Sequence, residues 1–250
     1  MAEPTNAEPD VAELTAGHTF KDYDGALSSL RLGALAMGAV VSEQVRTAVR
    51  ALLEGDREAA ELVLTRERQI NASQTEIEAE SFRLLARRAP VATDLRMILA
   101  VSRIVNDLER AGDEAKKIAR FALASAGRTT GGPSPVMHRP LRQMAHLASE
   151  SMRVAVNALD RGDASIAHDV ARLDREIDQE FEAALRQLMT VAMERTVLLR
   201  ATIDTVFALK SLERIGDHAK NVAEHVVFLV SGDDVRHATE SGAPTRTAQH

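Results

Sequence analysis

The hexapeptide Leu-Glu-Arg-Ala-Gly-Asp at residues 108–113 returns 104 positions later as Leu-Glu-Arg-Ile-Gly-Asp at 212–217. Laying 94–123 on 198–227 at that offset gives ten identities in thirty positions, among them Arg96/Arg200, Glu109/Glu213, Gly112/Gly216, Asp113/Asp217 and Lys116/Lys220. A chain that repeats an element in this way is expected to fold as two related units, each presenting its copy in a similar setting.

The units are expected to be helical. The chain has no Trp, one Tyr and six Phe, while Ala, Leu, Arg and Glu abound, a composition that favours helix over sheet. No run of alternating β-branched residues between turn signals competes with this reading. Apolar residues recur at helical spacing from Asp22 to Glu54 and Glu54-Gly55-Asp56 supplies a stop and a cap, so helix 1 is expected there. Helix 2 follows over 56–89, with Val63, Ile70, Ile77 and Leu84 at seven-residue steps, and helix 3 over 91–126 after Pro90. Gly127–Arg139 is rich in Gly, Pro, Ser and Thr and reads as the link between halves. The pattern then restarts, with helix 4 over 140–160, the turn Arg161-Gly162-Asp163, helix 5 over 163–193 and helix 6 over 196–230. The expected fold is therefore all-α: two tandem, pseudo-symmetric antiparallel three-helix bundles, at 21–127 and 140–230, joined by a linker at 128–139. Residues 1–20 and 231–250 are expected to be disordered tails.

Helix 3 carries an apolar seam at Ile98, Val101, Val105, Leu108, Gly112, Ala115, Ala119 and Ala122, and helix 6 its counterpart from Thr202 to Val226. The alternation of three and four is that of coiled-coil packing. Gly inside a helix costs about 1 kcal/mol against Ala, so its double occurrence implies a packing reason, the close approach of a neighbouring helix.

Glu109 and Asp113 lie four residues apart, hence on one helix face at the border of the seam; Glu213 and Asp217 do the same. Like charges so placed need a compensating cation. Lys116 and Lys220, one turn on, with Arg96, Arg110, Arg200 and Arg214 nearby, offer a salt-bridge network. A hard metal held by oxygen ligands is the functional alternative. Superposing the two Gly-Asp turns brings Glu67 and Asn71 of helix 2 into correspondence with Asp174 and Asp178 of helix 5, and these four are candidate ligands from a facing helix. Asp107 falls about 160° from Glu109 around the helix, and Ser211 replaces it in the second half, so it reads as a surface salt bridge. His146, His168 and His225 read as polar-face residues, and His218 corresponds to Glu114.

The absence of cysteine rules out disulfides, thiolate metal sites and a Cys nucleophile. A formal net charge of −6 without a basic block argues against nucleic acid as the main partner. The acidic first ten residues do not resemble a signal peptide, and the longest apolar run, Leu32–Val41, is too short to span a bilayer, so a cytoplasmic location without membrane insertion is expected. Ferritin-like di-iron enzymes place His three residues after Glu, whereas Gly112 and Gly216 stand there; no nucleophile–base pair or phosphate-cradling loop is present either.

The two Leu-Glu-Arg-x-Gly-Asp motifs, Arg-Ala-Pro-Val-Ala-Thr-Asp-Leu-Arg at 88–96, the Met37-Gly38 pair and the duplicated halves together resemble the PhoU family of phosphate-uptake regulators, from about Phe20 to Val230. The resemblance implies a non-enzymatic cytoplasmic protein, often a homodimer, in which Glu109/Asp113 and Glu213/Asp217 hold iron, zinc, manganese or magnesium. It further implies negative regulation of phosphate uptake and of the phosphate-starvation response, through the phosphate ABC transporter ATPase and a PhoR-type sensor histidine kinase. Leu198 and Ser211 depart from the family pattern, which implies fewer oxygen ligands at the second site. A carboxylate-bridged di-metal helical-bundle enzyme and a metal-free helical scaffold or chaperone are the alternatives.

Overall fold

The computed structural model describes residues 11–88, 90, 92–126 and 132–232, with side chains described within 23–87, 90, 93–126 and 132–232. Six long helices make up the fold: α1 (Val11–Glu54), α2 (Arg57–Arg88), α3 (Ala92–Ser125), α4 (His138–Arg161), α5 (Ala164–Glu194) and α6 (Leu199–Ser231). Single 3₁₀ turns at Pro135–Met137 and Thr196–Leu198 lead into α4 and α6.

The two Gly-Asp turns are built alike. Gly55 and Gly162 take φ of +67° and +60°, the left-handed region where a side chain is penalised. The following amides, Asp56 N–H and Asp163 N–H, each donate at 3.1 Å to the carbonyls of Ala51 and Ala158, closing the helix ends in Schellman fashion. The same aspartates then cap the next helix, accepting from Ala59 N–H at 2.9 Å and Ser165 N–H at 2.8 Å.

Several boundaries differ from expectation. α1 starts at Val11 rather than Asp22, because Gly17 is one weak position within Val-Ala-Glu-Leu-Thr-Ala-Gly-His-Thr-Phe and its cost of about 1 kcal/mol does not stop a helix; residues 1–10 of the expected tail lie outside the described residues. α4 starts two residues before Pro140, which therefore sits in the first turn, where its missing N–H has no helical partner to lose. Of the expected linker, 128–131 lie outside the described residues and 135–139 are already helical. At the other end α6 runs through Ser231, and 233–250 lie outside the described residues.

Every seam residue of α3 and α6 is buried, and so are Val63, Ile70, Ile77 and Leu84 of α2. α1, α2 and α3 form one antiparallel bundle and α4, α5 and α6 the other, but a single cluster of buried apolar side chains runs through all six helices. The most extensive helix–helix contact of all is between α3 and α6, with α1 against α4 beside it. At that second crossing Gly38 lets α4 approach, for a Cβ there would overlap Val156. Residues 23–54 of α1 are long and apolar enough to cross a membrane by length and composition, which the ten-residue run 32–41 alone did not suggest. In the fold that apolar stripe packs inward: Leu30, Ala34, Met37, Val41, Val45 and Leu52 are buried.

Candidate metal centre

Glu67 of α2 and Glu109 and Asp113 of α3 are brought together so that one carboxylate oxygen from each lies within 4.8 Å of the others. Among the described residues they are the one such set of three. Gly112 makes the convergence possible: a Cβ there would stand 3.0 Å from Glu67 Oε2 and 3.2 Å from Ile70 Cδ1. The packing reason expected for this glycine is thus found, and it is also what lets the Glu67 carboxylate lie against α3.

Glu67 is only 2% exposed. The buried Gln44 of α1 donates from Nε2 to Glu67 Oε2 at 3.1 Å and to the Gly112 carbonyl at 3.3 Å, while Glu67 Oε1 accepts no hydrogen bond. Lys116 Nζ is 2.7 Å from Asp113 Oδ1 and 3.7 Å from Glu67 Oε1. Burial, aided by Asp113 and opposed by Gln44 and Lys116, pushes the Glu67 carboxyl up to about 7. Glu109 is also raised, by burial and then by Asp113. Burial acts the same way on Asp113, but the Lys116 ammonium and the shared contact with Glu67 outweigh it and draw Asp113 below its usual range. Three clustered carboxyls with one lysine, two of them raised above the usual carboxylate range by their surroundings, form a site poised for a further cation. An orphaned buried oxygen and an all-oxygen donor set fit a hard divalent ion or iron.

The second acidic pair is arranged differently. Asp174 of α5 is buried and takes a 2.9 Å ion pair from Lys220, and Glu213 is paired with Lys210, a residue that replaces Asn106 of the first half. Asp178 and Asp217 stand at the exposed rim. Both carboxyls are raised, by burial first; Asp174 and then Glu213 add to the effect at Asp178, and Glu213 and then Asp174 at Asp217, so the four acids do face one region. Gly216 plays the part of Gly112, since a Cβ there would come 2.7 Å from Ile177 Cδ1. Ser151 stands where Gln44 does in the first half, buried and with its hydroxyl unpaired. Asn71, the fourth expected member of the first site, is exposed on α2.

The residues between the bundles correct the sequence reading. Asp107 is no surface group; it is 8% exposed and both its oxygens are taken by α6. His218 Nδ1 lies 2.9 Å and Asn221 Nδ2 3.1 Å from Oδ1, and His225 Nε2 3.2 Å from Oδ2. His225 and His218 are buried with it. Two turns on, buried Glu114 accepts ion pairs from Lys117 at 2.7 Å and from Arg214 of α6 at 3.2 Å. The single-helix wheel placed Asp107 away from the acidic pair correctly but could not show that α6 covers that face. The signal available was His218 and His225 a heptad apart, on a helix whose own seam was already satisfied.

Comparison with known proteins agrees with this architecture. The PhoU domain family model matches residues 34–122 and again 141–226. Similar proteins include the phosphate-specific transport system accessory protein PhoU homolog of Pseudomonas putida, 43% identical over 220 residues that cover 88% of this chain and 85% of the relative. The Escherichia coli K12 accessory protein PhoU is 32% identical over 224 residues, covering 88% and 90%. Among solved structures, PhoU from Pseudomonas aeruginosa superposes with a TM-score of 0.80 at 41% identity, over 84% of this chain and 100% of that one. The phosphate transport system regulatory protein PhoU from Streptococcus pneumoniae gives 0.75 at 28%, over 84% and 98%.

Proposed function

The chain belongs to the PhoU family, and from that premise we propose that it is a cytoplasmic negative regulator of phosphate uptake and of the phosphate-starvation response. It acts as a metal-binding helical adaptor, in a homodimer, between the phosphate ABC transporter ATPase and a PhoR-type sensor histidine kinase. The named relatives are accessory and regulatory proteins, and this chain is grouped with them as a non-enzymatic one.

The observation that carries the metal reading is the convergence of Glu67, Glu109 and Asp113 around an unsatisfied buried oxygen. These three would hold the ion, with Gln44 orienting Glu67 from behind and Lys116 moving aside. A bound cation (iron, zinc, manganese or magnesium) supplies the positive charge that three ionised carboxylates in a half-buried site require. Glu213 and Asp217, with Asp174 and Asp178, form a second and more solvent-open site whose acids are already shared with Lys210 and Lys220.

Elemental analysis of untagged protein tests this: replacing Glu109, Asp113, Glu213 and Asp217 together by Ala removes bound metal and preserves helicity, and equal metal content in the variant would refute the assignment. Deletion of the protein is expected to leave starvation genes on in rich phosphate, and pulldown should recover the transporter ATPase and the kinase. A metal-free adaptor is the second reading, favoured by the 2.7 Å Lys116–Asp113 pair, which already supplies one cation. Unchanged stability and partner affinity after metal removal would select it.

A further inference from the structure

Outside the carboxylate cluster, a polar hollow of about 280 Å³ opens along the α3–α6 seam, lined by Arg103, Asn106, Asp107 and Arg110 of α3 and Asn221 and His225 of α6. The α3 residues stand at i, i+3, i+4 and i+7, one continuous face of the helix. At about 30 Å³ per water molecule, the hollow has room for a small hydrated ion. Asp107 forms its floor, and both its oxygens are already occupied by His218, Asn221 and His225. The groups left over are donors. Arg103 is fixed over the Phe228 ring at 5.4 Å, Arg110 and Asn106 stand at the exposed rim, and the Asn221 amide keeps a second N–H beyond the one given to Asp107. Neither arginine forms an ion pair with an acid among the described residues.

The duplication supplies an internal control. At an offset of 104, Arg103, Asn106, Asp107 and Arg110 become Phe207, Lys210, Ser211 and Arg214, while Asn221 and His225 become Lys117 and Phe121. On that side Phe121 and Phe207 stack with centroids 6.1 Å apart. Every cation there has an acid: Lys117 and Arg214 share Glu114, and Lys210 pairs with Glu213. The same backbone frame is thus filled and charge-balanced on one side, and open on the other, with two guanidiniums that pair with no acid among the described residues.

We propose that the open side is a binding site for a phosphate group, gripped between Arg103 and Arg110 with Asn106 and Asn221 as neutral donors. Guanidinium forks match the oxygens of a tetrahedral anion, and charge-assisted bonds of this kind are the strong ones. The site centres on Asp107, about 160° around α3 from Glu109, and shares no residue with the carboxylate cluster, so it does not depend on the metal reading.

The test is calorimetric titration of the full chain, treated with chelator, with inorganic phosphate in one series and ATP in another. Saturable binding is expected in wild type and in Glu67→Gln. Arg110→Ala, which alters an exposed side chain, should weaken it about ten- to hundredfold, the loss of one charge-assisted contact. Arg103→Lys, which keeps the charge but not the fork, should weaken it as well, and Lys117→Ala on the filled side should leave it unchanged. Binding of phosphate alone identifies a free anion as the ligand, and binding of ATP alone a phosphate carried on a nucleotide; both support the site. Absence of saturable binding with either probe, binding that survives Arg110→Ala and Arg103→Lys at full strength, or binding lost in Glu67→Gln would overturn it.

Discussion

Replacing Glu67 by Gln removes a buried charge and leaves the side chain's shape in place. The Glu67 carboxyl titrates at about 7 in the folded protein against an ordinary value of 4.5, with burial the leading cause. The folded state therefore holds this proton more tightly than the unfolded chain does. Its stabilising contribution is complete below about pH 4.5 and is lost as pH rises toward 7, where the folded protein must ionise a carboxyl that is 2% exposed. At about 1.4 kcal/mol per pH unit, the gap is worth roughly 3 kcal/mol for Glu67 alone. Asp113 is drawn in the opposite direction, chiefly by Lys116, and is ionised in both states above about pH 5, so it leaves this difference unchanged and an effect of roughly 3 kcal/mol is expected for the metal-free protein. Glu67→Gln should match wild type at pH 5 and exceed it by that amount at pH 8. Its amide carbonyl still accepts from Gln44, and its new N–H can serve Asp113. Urea unfolding followed by far-UV circular dichroism, with chelator present, measures the difference, and comparing the two proteins at each pH cancels the other titrating groups. The same variant should bind metal more weakly, since it has lost a ligand charge. A variant that tracks wild type at both pH values, or is less stable at pH 8, would refute the account of Glu67 as a group held under electrostatic load.

Further outcomes follow from the packing and from the interbundle contacts. Gly216→Ala gains about 1 kcal/mol of helix propensity but overlaps Ile177, and overpacking costs about 1–3 kcal/mol; combining it with Ile177→Val, which removes the offending Cδ1, should restore stability beyond additivity in a double-mutant cycle. Asp107→Asn leaves buried donors of His218, Asn221 and His225 with too few acceptors and should cost about 2–4 kcal/mol. Burial alone would raise Asp107, but the hydrogen bonds from His218, His225 and Asn221 more than offset it and hold the carboxyl below its usual range. Its contribution is thus present above pH 3.8 and lost as pH falls through the lower folded value, so the gap between Asp107→Asn and wild type should shrink in acid. Of the two acidic pairs, Glu109→Ala with Asp113→Ala should remove more bound metal, by elemental analysis, than Glu213→Ala with Asp217→Ala, because only the first pair is joined by a converging third carboxylate.

The helices and the seam could be read from the chain because they depend on local rules: Gly-Asp turns, apolar spacing and the narrow residues inside the motif. Gly112 and Gly216 even announced a close neighbour, although not that the neighbour of Gly112 would be the Glu67 carboxylate. What stayed hidden was set by contacts between elements far apart in sequence. Asp107 looked like a surface acid because a helical wheel shows one helix alone, and α6 supplies three donors from more than a hundred residues away. Likewise the expected poverty of the second site was pinned on Leu198 and Ser211, whereas the difference between the pairs comes from Lys210 in place of Asn106 and Ser151 in place of Gln44, substitutions that matter only once α1, α2 and α3 or their counterparts are assembled. The early start of α1 was missed for a local reason, the lack of a clear apolar period before Asp22 in a stretch that also holds Gly17.

The antiparallel meeting of α3 and α6 shows what fusing a duplicated unit permits. Two separate copies related by a dyad must carry identical side chains at matching places, so any cleft on one side of the axis recurs on the other. Tying the copies into one polypeptide lifts that requirement, and here one seat beside the axis has become dry and aromatic while its twin stays wet and basic. A symmetric frame has in this way acquired a front and a back.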